Sequence, residues 1–347
     1  MRQKKNRHHV TIKEVAGHVG VSQMTVSRVI NKRGLVRDST RRKVENAVRE
    51  LNYRPNLSAR RLAGGKSLFV GLLYHNPSPG YLTRILVGGL NACRDRGHHL
   101  VIEDLGRRAP YREPVKTAEY LGLAGLDGVI ITPPLSNHRP FVEAIEAMGI
   151  TVILIAPENI HSQKLTVAMD DALAVEDMLD YIIGMGHSRI AIVKGPPDHP
   201  SSHHRFAGFT KKMENSGIPI TPLYVCEGDF TYRSGVDAGY QLLNRNNPPT
   251  AIFACNDDMA AGAVAAANMR GLNVPDDLSV AGFDDTEIAT NIWPELTTIK
   301  QPIAEMSSRA VDLLTAYVQD DAEAMSTFSE LLQYELVIRE SVSKPSK

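Results

Sequence analysis

Charge is divided along this chain too sharply for one uniform globule. Residues 1–66 carry 17 lysines and arginines against 4 aspartates and glutamates, a net charge of +13, whereas the other 281 residues carry 22 against 35, a net of −13. The 347-residue chain is formally neutral, 39 basic against 39 acidic, so the overall figure conceals the split. A cationic surface gains affinity for polyanions by releasing counterions from phosphates. The distribution therefore reads as a nucleic-acid-binding head joined to an acidic body. With 43% apolar residues the chain can bury a sizeable core, which excludes disordered and fibrous classes.

Cys93, Cys226 and Cys255 lie far apart, without a CxxC or a His cluster at zinc spacing, so neither a disulfide framework nor a metal site is expected. The first ten residues are basic, but Lys13, Glu14 and His18 follow in place of an apolar signal-peptide core. With no run approaching 18 apolar residues either, the expectation is a soluble, cytoplasmic protein with no membrane partner.

In the head, Thr11-Ile12-Lys13-Glu14 has capping-box spacing, which predicts a helix carrying Ile12, Val15, Ala16 and Val19 on one face and ending at Gly20. Ser22 caps a second helix, Gln23 to about Asn31, with Val26, Val29 and Ile30 inward; Val44, Ala47, Val48 and Leu51 mark a third. Two short helices about a glycine turn, with a third behind, make a helix-turn-helix whose second helix can enter the major groove. Its outward set is Gln23, Met24, Thr25, Ser27, Arg28 and Asn31. Gln can pair with adenine, Arg with guanine, and Met can contact a thymine methyl, while Ser22 and Thr25 suit phosphates. Beside the +13 charge, DNA binding outweighs the alternative of a merely solvated face.

Val10–Ala16, Gly20–Asn31 and Leu51-Asn52-Tyr53-Arg54-Pro55-Asn56 together resemble the DNA-binding domain of the lactose-repressor (LacI/GalR) family. The resemblance implies base reading by Gln23, Met24 and Arg28, with Thr11, Tyr53 and Asn56 completing the contact set. It also implies that residues 55–66 form a hinge folding on DNA, with Leu62 wedged into the minor groove and small Ala59 letting two hinge helices approach. Read from the residues alone, that segment is a flexible linker with almost no apolar face. Arg37 stands where many members carry a capping serine, and Asp38 or Ser39 is expected to take over. Gly65-Lys66-Ser67 is not a phosphate loop, because Arg60 occupies the position of its first glycine.

After Ser67, the runs Leu68–Tyr74, Leu100–Asp104, Gly128–Thr132, Thr151–Ile155, Arg189–Lys194, Ala251–Ala254 and Leu278–Phe283 read as buried parallel strands between helices. Such repetition predicts a doubly wound α/β architecture, and its length suggests two halves with a sheet each. Ligands bind at the carboxyl ends of such strands. There stand Tyr74, His75 and Asn76; Thr132; Asn256 and Asp257; and Asp284 and Asp285, with loops bearing Arg205, Phe230 and Tyr232 between them. Paired carboxylates could serve an enzyme, but no GxGxxG, P-loop, GxSxG or HExxH accompanies them, and Asp257-Asp258 also suits a helix start. No catalytic residue and no cofactor is expected.

The resemblance extends through Gly186–Ala191, Arg205–Phe209, Ala254–Gly262, Val274–Asp285 and Leu296–Gln301, which look like that family's effector domain, similar to periplasmic sugar-binding proteins. It implies a small all-α helix-turn-helix head (1–54), the hinge (55–66), and a two-lobed, type I periplasmic-binding-protein-like α/β effector domain (67–342) before a short tail (343–347). The lobes would comprise about 67–168 with 302–329, and 169–301 with 330–342. It further implies hydroxyl contacts from Arg205, Asn256 and Asp284 and an aromatic platform near Phe230; Tyr74, Asn76 and Thr132, from their strand ends, and Gln301 are further candidates for effector contact, although Tyr74-His75-Asn76-Pro77 departs from the family pattern. Ile155-Ala156-Pro157 stands where many members end the strand with a ligand-contacting aspartate. His199, His203 and His204 are candidates for ligand contact or for a solvated loop, and Trp293 for cleft lining or packing.

The resulting expectation is a homodimeric transcriptional repressor on a pseudo-palindromic operator, controlled by a sugar. A purine-sensing regulator of the same fold is the alternative, with a non-regulatory sugar-binding protein behind it.

Overall fold

A computed structural model describes residues 11–30, 36–51, 67–106, 112–160, 165–319 and 328–346. The chain divides into two units between Ser67 and Leu68. In the first, α1 (Ile12–Val19), α2 (Gln23–Ile30) and α3 (Asp38–Glu50) enclose buried Val15, Ala16, Val26, Val29, Val44 and Ala47. The side chains at these positions follow the helical spacing of the sequence.

Local signals set the helix ends. The Thr11 hydroxyl accepts from the Glu14 amide at 3.3 Å, while the Glu14 carboxylate accepts from the Thr11 amide at 2.7 Å. Two free donors at the helix start are thereby satisfied reciprocally. Gly20 ends α1 at φ 71°, a left-handed conformation that a Cβ disfavours. The Ser22 hydroxyl accepts from the Thr25 amide at 3.2 Å and caps α2. The start of α3 differs from expectation: neither Asp38 nor Ser39 takes the N-cap, which Arg37 occupies without a side-chain bond. Its extended backbone (φ −55°, ψ 137°) already turns the chain into the helix, and Asp38 is the first helical residue.

The second unit alternates strands with helices. The elements from its start are β1 (Phe69–Tyr74), α4 (Pro79–Arg96), β2 (His99–Asp104), α5 (Pro114–Leu123), β3 (Gly128–Ile131), α6 (Arg139–Ala147), β4 (Thr151–Ile155) and β5 (Leu165–Ala168). Then come α7 (Asp171–Gly184), β6 (Ile190–Lys194), α8 (Pro200–Asn215), β7 (Val225–Glu227), α9 (Tyr232–Leu243), β8 (Ala251–Ala254), α10 (Asp257–Met269), β9 (Ser279–Phe283) and α11 (Ile288–Asn291). The unit closes with β10 (Thr297–Lys300), α12 (Ile303–Gln319), β11 (Phe328–Leu331) and β12 (Glu335–Val337).

Two six-stranded sheets result, in the orders β11-β5-β4-β3-β1-β2 and β12-β10-β9-β8-β6-β7. Every pairing is parallel except β10 with β12. Helices on both faces bury the central strands completely, which is why Val129-Ile130-Ile131 and Ala251-Ile252-Phe253-Ala254 are continuously apolar. The described chain passes between sheets three times, after β5, after β10 and after β11. The seven strands read from the sequence are present with ends within one residue, and β5, β7, β10, β11 and β12 are additional.

Gly20→Ala would place a side chain in open space but in a left-handed backbone. The head should lose about 1–2 kcal/mol of stability. Hydrogen exchange of the full chain should show faster exchange of amides in residues 12–50, with residues 68–319 unchanged. Unaltered exchange in the head would remove this role from Gly20.

Candidate functional site

The carboxyl ends of five strands converge on one cleft. Asn76 and Ser78 follow β1, Tyr81 lies in the first turn of α4, and His199, Ser201 and Arg205 follow β6 into α8. Phe230 follows β7, Asn256 follows β8, and Asp284 follows β9. The cavity between these residues measures about 20 Å³, room for about one water. The lobes meet here: Ser78 donates to Asp258 at 2.7 Å, and a Cβ on Gly80 would stand 2.7 Å from Thr286.

Arg205 is the centre of the arrangement. Its Nε donates to Asp171 at 2.7 Å, its Nη1 to the Cys255 carbonyl, and its Nη2 to Gln301 at 3.4 Å, with an Asp284 carboxylate oxygen 3.6 Å away. The guanidinium lies 3.6 Å from the centre of the Phe283 ring. A buried cation is tolerable only when paired and hydrogen-bonded in this way.

Asn256 caps α10 by accepting from the Met259 amide at 2.9 Å and donates to the Phe230 carbonyl at 3.0 Å. Phe230 (φ 66°) and Asp284 (φ 107°) hold left-handed backbone, as do Ala156 (φ 43°) and Asp285 (φ 53°). All four follow strands. Strain of this kind persists only where surrounding structure fixes it and concentrates at functional sites.

Four buried polar atoms of the cleft have no hydrogen-bond partner among the described residues: Tyr81 Oη, both ring nitrogens of His199 and one carboxylate oxygen of Asp284. Burial lowers the His199 pKa to about 3, so its imidazole is neutral and offers one donor and one acceptor. Burial also raises Asp284 well above the usual carboxylate range, against the opposing pull of Arg205. The Tyr81 phenol is raised by burial and then by Asp284.

The sequence-derived residues divide. Asn76, Arg205, Phe230, Asn256 and Asp284 line the cleft, whereas Tyr74, Thr132 and Gln301 do not. Thr132 is fully buried and donates its hydroxyl to the Leu73 carbonyl at 3.2 Å, because the strand end turns inward there. Gln301 stands behind Arg205. His203 and His204 reach Glu158, at 3.3 Å to its carboxylate and 2.9 Å to its carbonyl. Trp293 is 77% exposed and neither lines the cleft nor packs inside. Ser78, Tyr81 and Ser201 went unread, although a Ser-Pro helix start straight after β1 was a usable signal.

A second cavity of about 240 Å³ adjoins the Arg205–Asp171 pair, lined by Ala156, Glu158, Asp170, Asp171, His204 and Leu331 among others. Its wall includes the position where many relatives were expected to carry an aspartate and this chain has Ala156.

On the head, α2 presents Gln23, Met24 and Arg28 to solvent, with Thr25 and Ser27 half-buried; Thr11 and Ser22 are exposed. Asn31, Tyr53, Asn56, Ala59 and Leu62 lie outside the described residues. No group of His, Cys, Asp and Glu suited to a metal occurs among the described residues, and no helix there is long and apolar enough to cross a membrane.

A helix-turn-helix unit followed by a two-lobed α/β unit with a polar cleft at its strand ends defines a class: regulators that bind DNA under the control of a small molecule. Residues 11–56 match the model for bacterial regulatory proteins of the lacI family, and residues 179–342 match a periplasmic binding protein-like domain. Catabolite control protein A of Priestia megaterium is 33% identical over 90% of this chain and 94% of its own length. The lac repressor dimer bound to operator and the anti-inducer ONPF superposes with a TM-score of 0.77 at 31% identity, covering 96% of this chain and 99% of that one. A complex of the transcriptional regulator CelR with cellobiose gives a TM-score of 0.71 at 28% identity, covering 96% and 100%. The chain belongs to the lacI family of bacterial regulatory proteins.

Two measurements test the site. Arg205→Met should lower the stability of the body by about 3–5 kcal/mol, because Asp171 is left as an unpaired buried charge; urea unfolding followed by circular dichroism would reveal it, and an unchanged midpoint would remove Arg205 from its central place.

Asp257 is pushed up to about 7 by burial, despite hydrogen bonds from Thr298 and Thr286. The folded chain therefore holds this proton more tightly than the unfolded chain, whose carboxyl titrates at the ordinary 3.8. The stabilising share is complete below 3.8 and is lost as pH climbs towards about 7. Asp257→Asn should flatten the fall in stability across that window, and an unaltered slope would contradict the assignment.

Proposed function

We propose that the protein is a homodimeric transcriptional repressor that grips a pseudo-palindromic operator with two heads and two hinges, under control of a sugar bound in the cleft. The observation that carries the sensing half is the set of buried polar atoms without a hydrogen bond on Tyr81, His199 and Asp284, the last paired with Arg205 only at 3.6 Å. Such atoms are costly unless a ligand satisfies them. Arg205, Asn256 and Asp284 bond ligand hydroxyls, Asn76 approaches from the facing lobe, and Phe230 supplies an apolar face for sugar C–H groups. Thr132 and Gln301 act indirectly, by holding β3 and Arg205, and Tyr74 acts from the end of β1. CelR with its cellobiose supports the choice of a sugar. The ligand is sensed without being transformed, and the protein works in the cytoplasm, where its operator is.

In this reading the head spans residues 1–54, the hinge 55–66 and the effector domain 67–342. Gln23, Met24 and Arg28 read base edges, with Thr11, Ser22, Thr25, Ser27, Asn31, Tyr53 and Asn56 on the backbone or nearby, while Leu62 and Ala59 act in the minor groove. Dimerisation is supported by outward apolar side chains on α4 and its neighbouring edge strand, Val87, Leu90 and Ile102, each more than 40% exposed. The lac repressor is a dimer on its operator. Closing the lobes on ligand shifts the hinge pair between DNA-gripping and released states, a coupling of about 1–3 kcal/mol.

The test is a binding-site selection with the full chain, followed by affinity measurements on the selected duplex. Gln23→Ala and Arg28→Ala should each cost about 1–3 kcal/mol and relax preference at one base pair. Unchanged preference would overturn the reader assignment, and failure to enrich any duplex would overturn the regulatory reading as a whole.

A further inference from the structure

The crevice between the lobes is lined, among the described residues, by one arginine and several carboxylates. Among the residues lining either of its cavities, Arg205 is the single lysine or arginine, against Asp284 in the first cavity and Glu158, Asp170 and Asp171 in the second. Asp258 joins them through the Ser78 hydroxyl. Each nitrogen of Arg205 already holds a partner, Asp171, the Cys255 carbonyl and Gln301 with Asp284 close by, which leaves only second Nη hydrogens for a ligand hydroxyl and no open fork for an anion. Recognition of a phosphate or carboxylate ordinarily requires a guanidinium fork or ammonium that is free to face it.

Protonation does not rescue the balance. Burial raises Asp257, Asp258 and Asp284, so each can be neutral, yet Asp171 alone cancels Arg205. The described lining of the crevice is therefore neutral at most and otherwise negative. His199 adds no charge, its ring being held neutral by burial. The helix amino termini at the cleft are largely answered: Ser78 caps α4, Thr231 caps α9, and Asn256 caps α10, whose first turn adds Asp257 and Asp258. Only α8 begins there without a side-chain cap, and little of that terminus is open to a ligand, because Pro200 has no N–H and the Ser202 amide donates to the His199 carbonyl at 2.9 Å. An anion entering this space would lose its water and meet carboxylates without an uncompensated cation.

We propose that the crevice selects against anions: its ligand is a hydroxyl-rich molecule bearing no phosphate or carboxylate, and the phosphorylated or oxidised form of that same molecule is rejected. The proposal rests on the reading of this crevice as the effector site. Glu158 strengthens the selection, since its carboxylate is fixed by Asn137 at 2.7 Å and by His203 at 3.3 Å, and these bonds hold it ionised below the usual carboxylate range.

The experiment uses the full chain at pH 8, where an imidazole of ordinary pKa is neutral. Thermal shift and calorimetry compare matched probes: glucose with glucose 6-phosphate and glucuronate, ribose with ribose 5-phosphate, fructose with fructose 6-phosphate, cellobiose, and adenosine with AMP. At least one uncharged probe should bind, its charged counterpart binding at least tenfold more weakly. A phosphate or uronate that binds as tightly as its neutral parent overturns the proposal, and so does the absence of binding by every uncharged probe. Operator binding by the same sample reports separately on the regulatory reading. Binding of adenosine without AMP supports the charge rule while replacing the sugar with a nucleoside. Asn76→Lys, which adds a cation at the half-buried rim, should narrow the neutral-to-phosphate ratio severalfold. A ratio that stays fixed overturns the electrostatic cause.

Discussion

A single guanidinium, that of Arg205, organises the acidic unit. Withdrawing it from water is expensive, and the chain offsets this by bringing Asp171 from the start of α7, the Cys255 carbonyl from the end of β8, Gln301 after β10 and the Phe283 ring from β9 to one point. These elements are far apart in sequence. The ion network therefore depends on the finished sheet, and the finished sheet has its strand ends held together by it. Replacement with apolar side chains of equal volume would serve stability at least as well. What an apolar core would lack is polar atoms aimed at a ligand.

The same strand ends carry the left-handed residues Phe230, Asp284 and Asp285. Asp285 is fixed by Arg339 at 2.6 Å, so the strained turn is anchored from the carboxyl-terminal segment. Thr298, within β10, donates to Asp257 at 2.6 Å and places a second layer of hydrogen bonds beneath the first. Polar groups in the cleft are thus set on rigid supports before any ligand arrives, as tight and selective binding requires.

Legibility in the sequence followed how local the signal was. The capping box at Thr11 and Glu14, the Gly20 stop and the spacing of Val15, Val26 and Val44 are contained within a few residues, and the head emerged from them. Central strands such as Val152–Ile155 announced themselves as apolar runs. Strand β10 did not, because Thr297 and Thr298 are buried only by virtue of distant partners, Arg339 and Asp257. Strands β7, β11 and β12 are edge strands of three or four residues, too short for periodicity. In the cleft, charged residues at strand ends were visible as candidates. Tyr81 was not, since a tyrosine one turn into a helix looks like core until the opposite lobe is folded against it. His203 and His204 resembled ligand contacts by adjacency to Arg205, but helical geometry turns them towards Glu158.

The three passages of chain between the sheets have a mechanical meaning. One connecting strand would be a tether, permitting drift and twist; three restrict the ways in which the two sheets can move against each other.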